Sequence, residues 1–248
     1  MMKNNNLKKK KGMFYKICAF FIKMKYKKPE YYGVENIPRE PCIITGNHAQ
    51  MHGPIVNELY FPTDKIIWCD APMLDKKLFT NYAYNNFFGG KPTRFQKFLT
   101  AILKPIIVNV FKNADALPVY RDMGIVKTYK MTTDSLDAGN NVVILPECPE
   151  EFNEITNKFN EYFVDVARMY YKSNKKELCF VPMYYCCELK KMLFGKPIKF
   201  NGLAEINDER NRICEYLMQE ITVLAKSLPV HKVVPFNAVP KEKYKNSK

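Results

Sequence analysis

The chain lacks much of what several function classes require. Its eight cysteines include no C-x-x-C pair, and the adjacent Cys186 and Cys187 do not have the spacing of a usual chelate. Zinc binding and dithiol redox chemistry therefore have no motif, and reduced, buried thiols are expected. Only three histidines occur in 248 residues, and two of them, His48 and His52, fall in one short stretch. The N-terminal apolar segment supplies about a dozen residues before charges resume, short of the ~20 that a bilayer-spanning helix needs. Lysines interrupt that segment and no small-residue cleavage site follows it, so a secretory signal is not expected and a cytosolic protein is. No internal repeat and no recognisable nucleic-acid module is visible, and residues 1–28 hold no acid at all.

What the chain does have is charge placed at one end. Of the net +14, ten charges come from lysines within residues 1–28, so the remaining 220 residues carry only +4. A basic arm of this kind seeks a polyanion, either phospholipid headgroups or nucleic acid. Phe14, Ile17, Phe21 and Met24 recur at i, i+3, i+7 and i+10, which predicts a helix with one apolar stripe flanked by Lys16 and Lys23. Such a helix lies on a membrane and does not cross it. Each lysine near an anionic surface adds on the order of 1 kcal/mol. The plainer alternative is an ordinary amphipathic helix packed on the domain; nucleic acid is the disfavoured partner.

The rest is long enough for one large domain with a substantial core. Strand-like runs at 41–45, 65–69, 116–119, 142–145, 179–185 and 196–200 alternate with helix-length stretches. That alternation predicts an α/β fold, a mainly parallel or mixed sheet covered by helices, with the N-terminal amphipathic helix added. Helices are expected at 128–137, closed by Gly139, at 150–171, and at 208–228 with Ile213, Leu217, Ile221 and Leu224 on one stripe. Residues 98–111 are nearly all apolar, which suits an acyl-chain groove, a lipid contact or a plain core segment alike. The division expected is a basic membrane-contact segment at 1–28, an α/β domain at 29–240 and a basic tail at 241–248.

Four motifs follow one another along the domain. Asn47-His48 ends an apolar run; Leu117-Pro118-Val119-Tyr120-Arg121 ends a second; Ile144-Leu145-Pro146-Glu147 ends a third; and Phe180-Val181-Pro182 lies within a fourth. A lone His after a strand offers an imidazole with an ordinary pKa of ~6.5, able to take a proton near neutral pH. In order and interval these blocks resemble those of the 1-acylglycerol-3-phosphate acyltransferase family, within the glycerolipid or lysophospholipid acyltransferase superfamily. Phe194-Gly195-Lys196-Pro197-Ile198 resembles that family's Gly-x-Pro-Ile strand.

The resemblance implies transfer of a fatty acyl group from acyl carrier protein or coenzyme A to the hydroxyl of a lysophospholipid or related acceptor. The work would be done at the cytoplasmic face of a membrane, peripherally, with no metal or other cofactor. It implies His48 as general base, with Arg121, Glu147 and Asn47 binding substrate, Arg121 through its planar two-oxygen fork. His52 is a bystander.

Two departures stand against this pattern. The family has Asp five residues after its His; this chain has Gly53, and counting from His52 gives Asn57. Cys148-Pro149-Glu150 stands where the family has Gly-Thr-Arg. One expectation joins the two: Glu150 or Glu151 supplies the acid that orients His48. The rival is a catalytically silent family member that binds lipid or a lipid-synthesis partner, with Gly53 as its signature.

Overall fold

The computed structural model describes residues 11–247. In chain order the elements are α1 (Met13–Lys25), β1 (Glu30–Tyr32), β2 (Ile43–Gly46), α2 (His52–Tyr60), β3 (Lys65–Asp70), α3 (Ala71–Leu74), α4 (Lys76–Phe87), α5 (Arg94–Asn113) and β4 (Ala116–Val119). There follow α6 (Ile125–Asp137), β5 (Asn141–Ile144), β6 (Glu147–Glu151), β7 (Asn157–Phe159), α7 (Asp165–Asn174), β8 (Cys179–Cys186), β9 (Lys191–Phe194), β10 (Ile198–Lys199) and α8 (Ile206–Lys226). This is the expected α/β class, with a helix at the N-terminal end.

One sheet runs in the order β1-β9-β8-β2-β5-β3-β4, with β10 against β8. Its centre is parallel: β8, β2, β5, β3 and β4 all point the same way, while β9 and β10 run antiparallel to β8 and β1, parallel to β9, shares their direction. Parallel strands covered on both faces read as unbroken apolar runs. Accordingly Ile43 and Ile44 of β2 are both fully buried, the first beneath α6, α7 and α8, the second beneath Val56 of α2. Ile213, Leu217 and Ile221 form the buried stripe of α8, as the spacing predicts. Gly139 takes φ +88° where the chain turns out of α6 into β5, a conformation open to glycine.

Residues 150–171 do not form one helix. Glu147–Glu151 and Asn157–Phe159 pair as a small antiparallel ribbon, and only Asp165–Asn174 is α-helical. The side-chain oxygen of Asn153 accepts the N–H groups of Ile155 and Thr156 at 2.8 and 2.9 Å, tying a turn where a helix would need those donors for its own ladder.

Residues 98–111 lie in α5, of which only Thr100 and Val108 are buried. Helices α3, α4 and α5 share a small core of Met73, Phe79, Ala83 and Val108. Helix α1 is fastened to the body by a compact charge cluster: Lys11 and Tyr15 bond Glu58 of α2, and the buried Lys65 reaches Glu58 at 2.5 Å and Asp115 at 3.3 Å. At the other end, residues 241–247 are not a free tail. Val233 donates to the carbonyl of Lys245, and Ser247 donates to that of His231, both at 2.9 Å. All eight cysteines are unpaired, with Cys42, Cys186 and Cys214 buried. Residues 1–10 of the expected membrane-contact segment lie outside the described residues.

Candidate active site

Because β2, β5, β3 and β4 are adjacent and parallel, their carboxyl ends open on one edge. His48 follows β2, Glu147 follows β5, Asp70 closes β3 and Arg121 follows β4. That edge is where ligands of open parallel sheets bind, and three of the four residues are those the sequence motifs single out.

The His48 loop is built by its own backbone. Ala49 and Gln50 both take positive φ, +46° and +52°, which folds the carbonyl of Gln50 back onto the imidazole, 2.5 Å from Nδ1. A carbonyl only accepts, so Nδ1 carries the proton and Nε2 keeps its lone pair. Burial pushes the His48 pKa below its ordinary value, while the Gln50 carbonyl and the nearby Asp70 carboxylate pull the other way. The ring is therefore neutral and basic at Nε2 at neutral pH. Phe236 packs edge-on against it, with ring centroids 5.3 Å apart.

Glu147 is buried, and both its oxygens are committed to the backbone. One accepts the N–H of His48, and the other accepts that of Asn157 at 2.8 Å. Burial raises its pKa to about 7, against those two bonds, which favour the anion. It thus holds the His48 loop from below. Asn47 is similarly spent: its side chain donates to the carbonyl of Tyr185 at 3.1 Å and accepts that residue's N–H at 2.8 Å. Asn47 fastens β2 to β8 and does not present its amide to a substrate, contrary to expectation.

The expected orienting acids sit elsewhere. Glu150 pairs with Lys158 and Glu151 with Lys245, each at 3.1 Å, and both carboxylates are 70% exposed. The position they were expected to fill at Nδ1 belongs to the Gln50 carbonyl. Gly53 has a steric reason to be glycine. Its N–H donates to the carbonyl of His48 at 3.1 Å. A Cβ at that position would press into the His48 carbonyl oxygen, 3.0 Å from its carbon and 3.1 Å from the Asn47 oxygen. The loop is closed so tightly that a side chain at 53 has no room.

Asp70 gave no signal in the sequence beyond ending a strand, yet it links the site's far side. It accepts from Tyr82 of α4 at 2.8 Å and faces Arg121 at 3.6 Å. Arg121 itself is 78% exposed, its fork open to solvent. The C-terminal segment covers the other side. The side-chain amide of Gln50 donates to the carbonyl of Asn237 and to the Tyr244 hydroxyl, both at 3.2 Å, so Phe236 and Tyr244 wall the His48 loop. Among the described residues no group of His, Cys, Asp and Glu side chains is arranged to hold a metal.

No family model and no curated protein matches the chain. Among solved structures it is similar to the 1-acyl-sn-glycerophosphate (LPA) acyltransferase PlsC from Thermotoga maritima. The TM-score is 0.51 at 11% identity, over 85% of this chain and 76% of that one. The two share an α/β architecture.

Proposed function

We propose that the protein is an acyltransferase that moves a fatty acyl group from a thioester of acyl carrier protein or coenzyme A to the hydroxyl of a lysophospholipid-like acceptor. One observation carries this reading: Nδ1 of His48 is held by the Gln50 carbonyl, which leaves Nε2 as a free base at the carboxyl edge of a PlsC-like sheet. The base takes the proton of the acceptor hydroxyl as its oxygen attacks the thioester carbonyl carbon. The tetrahedral intermediate then expels the thiolate, which receives that proton. Arg121, exposed and only loosely engaged by Asp70, is the residue for the acceptor's anionic group. Glu147 and Asn47 position the loop and the strand that carry the base.

An acceptor anchored in lipid places the work at a membrane surface, and a peripheral attachment through α1 at the cytoplasmic face suits it. No helix among the described residues is long and apolar enough to cross a membrane. Helix α1 leaves Phe14, Ile17, Phe20, Phe21 and Met24 exposed.

The test is acyl transfer by purified protein from both donor types to a panel of lysolipids, lysophosphatidic acid included, beside His48→Ala. Wild type is expected to form product, and the variant to be slower by ~10²–10⁴-fold, the usual contribution of a general base. The acid limb of kcat/KM should fall below the ordinary imidazole value of 6.5, because burial depresses the His48 pKa. Absence of product with every donor and acceptor, in protein that still binds vesicles, would overturn the reading in favour of a silent lipid-binding relative.

A further inference from the structure

One face of helix α5 has no explanation in the site or in the core it shares with α3 and α4. Phe95, Phe98, Leu99, Ile102 and Ile106 fall at helical spacing and are exposed, Phe95 to 70% and Phe98 to 64%. A soluble monomer rarely leaves so continuous an apolar stripe in water. A reciprocal capping box joins Thr93 and Gln96 at its start, fixing its first turn. It packs beside α1, where the N–H of Gly12 donates to the Asn113 side chain at 3.4 Å, and α1 presents its own exposed stripe.

We infer that α5 is the second half of a two-helix foot, docking together with α1 on an anionic bilayer surface. Charge decides the occupant. The two helices carry seven lysine or arginine residues and no aspartate or glutamate. A second copy of this chain seated face to face would bring like charges together, whereas acidic headgroups complement them. Neither helix can span the bilayer, so each lies in the interface with its phenylalanines among the acyl chains. The placement serves the site. Helix α5 rests on α4, and α4 holds Asp70 through Tyr82 at the edge where Arg121 and His48 stand. The inference deepens the reading of α1 as a membrane contact and rests on it.

The experiment uses the full chain with vesicles of phosphatidylcholine alone or mixed with phosphatidylglycerol. Reporters are Phe98→Trp on α5, Phe14→Trp on α1 and Leu203→Trp at an exposed position between β10 and α8, each read against the native Trp68 signal of wild type. Blue-shifted emission from Phe98→Trp and Phe14→Trp with the mixed vesicles, and none from Leu203→Trp, supports the foot. The triple variant Phe95→Ser/Phe98→Ser/Ile102→Ser should keep the wild-type circular dichroism. It should lose about a thousandfold in vesicle partitioning, since burying one such side chain shifts a partition by about tenfold or more and three are removed. A shift from Phe14→Trp alone overturns the role of α5 and leaves that of α1 standing. No vesicle binding, with a concentration-dependent dimer that the triple variant abolishes, overturns the bilayer as occupant. Failure of the acyl-transfer reading is distinguishable, because these readouts need no turnover and catalysis on dispersed substrates needs no vesicle.

Discussion

Placing an acid at position 53, where the acyltransferase motif has one, should damage this protein. By motif alone, Gly53→Asp would complete a His–Asp pair and should raise activity. The loop geometry demands the reverse. A Cβ at 53 overlaps the His48 carbonyl oxygen and stands 3.0 Å from its carbon, so the backbone must retreat by about an ångström. Overpacking of this kind costs roughly 1–3 kcal/mol. The Gly53 N–H bond to that same carbonyl, 3.1 Å long, is strained with it and forfeits about 1 kcal/mol more.

Against these stand two gains. Replacing glycine in the first turn of α2 improves helix propensity by something under ~1 kcal/mol. A carboxylate near a helix N-terminus adds ~0.3–1 kcal/mol. The balance is a loss of roughly 1–3 kcal/mol, or several degrees in melting temperature for a chain this size. Because the displaced carbonyl belongs to His48, the same movement misplaces the base, and about 1 Å at a reacting centre costs ~100-fold. Thermal melts and kcat/KM measured on Gly53→Asp and Gly53→Ala check this. Both variants should lose together, since both carry the offending Cβ. A Gly53→Asp protein that melts like wild type and turns over as fast or faster would refute the steric reasoning.

Glu147→Gln should change the pH dependence of stability. A buried acid whose folded pKa of about 7 lies above its ordinary 4.5 favours the fold most when protonated. Its contribution is complete below pH 4.5 and is lost as the pH climbs to about 7. Across that window wild type should lose stability relative to the variant, measured as denaturant midpoints at several pH values, and parallel profiles would exclude the buried-acid assignment. Asp70→Asn should move the acid limb of kcat/KM to lower pH, because the Asp70 charge is one of the influences that raise the His48 pKa. It should also raise the acceptor KM less than Arg121→Ala does, since it leaves the guanidinium in place; an unmoved limb would mean that Asp70 exerts no field at the ring.

The sequence was most readable where burial is two-sided or strictly periodic. The central strands β2, β3, β5 and β8 are apolar runs because both faces are covered, α8 shows a single stripe, and α6 is marked by Gly139 at its end. It misled at 150–171, where apolar residues fall at helical intervals but Pro149 and the Asn153 turn favour a ribbon. It was silent on β1 and β9, three and four residues long, whose pairing is decided by register with distant segments. The site divides likewise. Side chains carried by the motif blocks, His48, Arg121 and Glu147, come to one edge as their order along the chain suggests, whereas Asp70, which only ends a strand, gave no such signal. The Gln50 partner was not, because the atom that matters is a main-chain carbonyl and any residue carries one. Phe236 was invisible for another reason: its contact with His48 spans nearly the whole domain in sequence.

Orientation and charge, which one aspartate supplies together in a His–Asp pair, are separated in this protein. The Gln50 carbonyl fixes the ring and its tautomer but would bring only a dipole to the imidazolium of the proposed proton transfer. The full negative charge nearest in effect is Asp70, on the neighbouring side of the edge and shared with Tyr82 and Arg121. A base so arranged is well aimed but weakly stabilised in its charged form, which is also what the depressed pKa expresses. Under the proposed reaction, an acceptor whose anionic group takes up Arg121 releases Asp70 from that pairing and strengthens its field at the ring. The tight glycine at 53 is what allows the loop to close so that the Gln50 carbonyl reaches the ring.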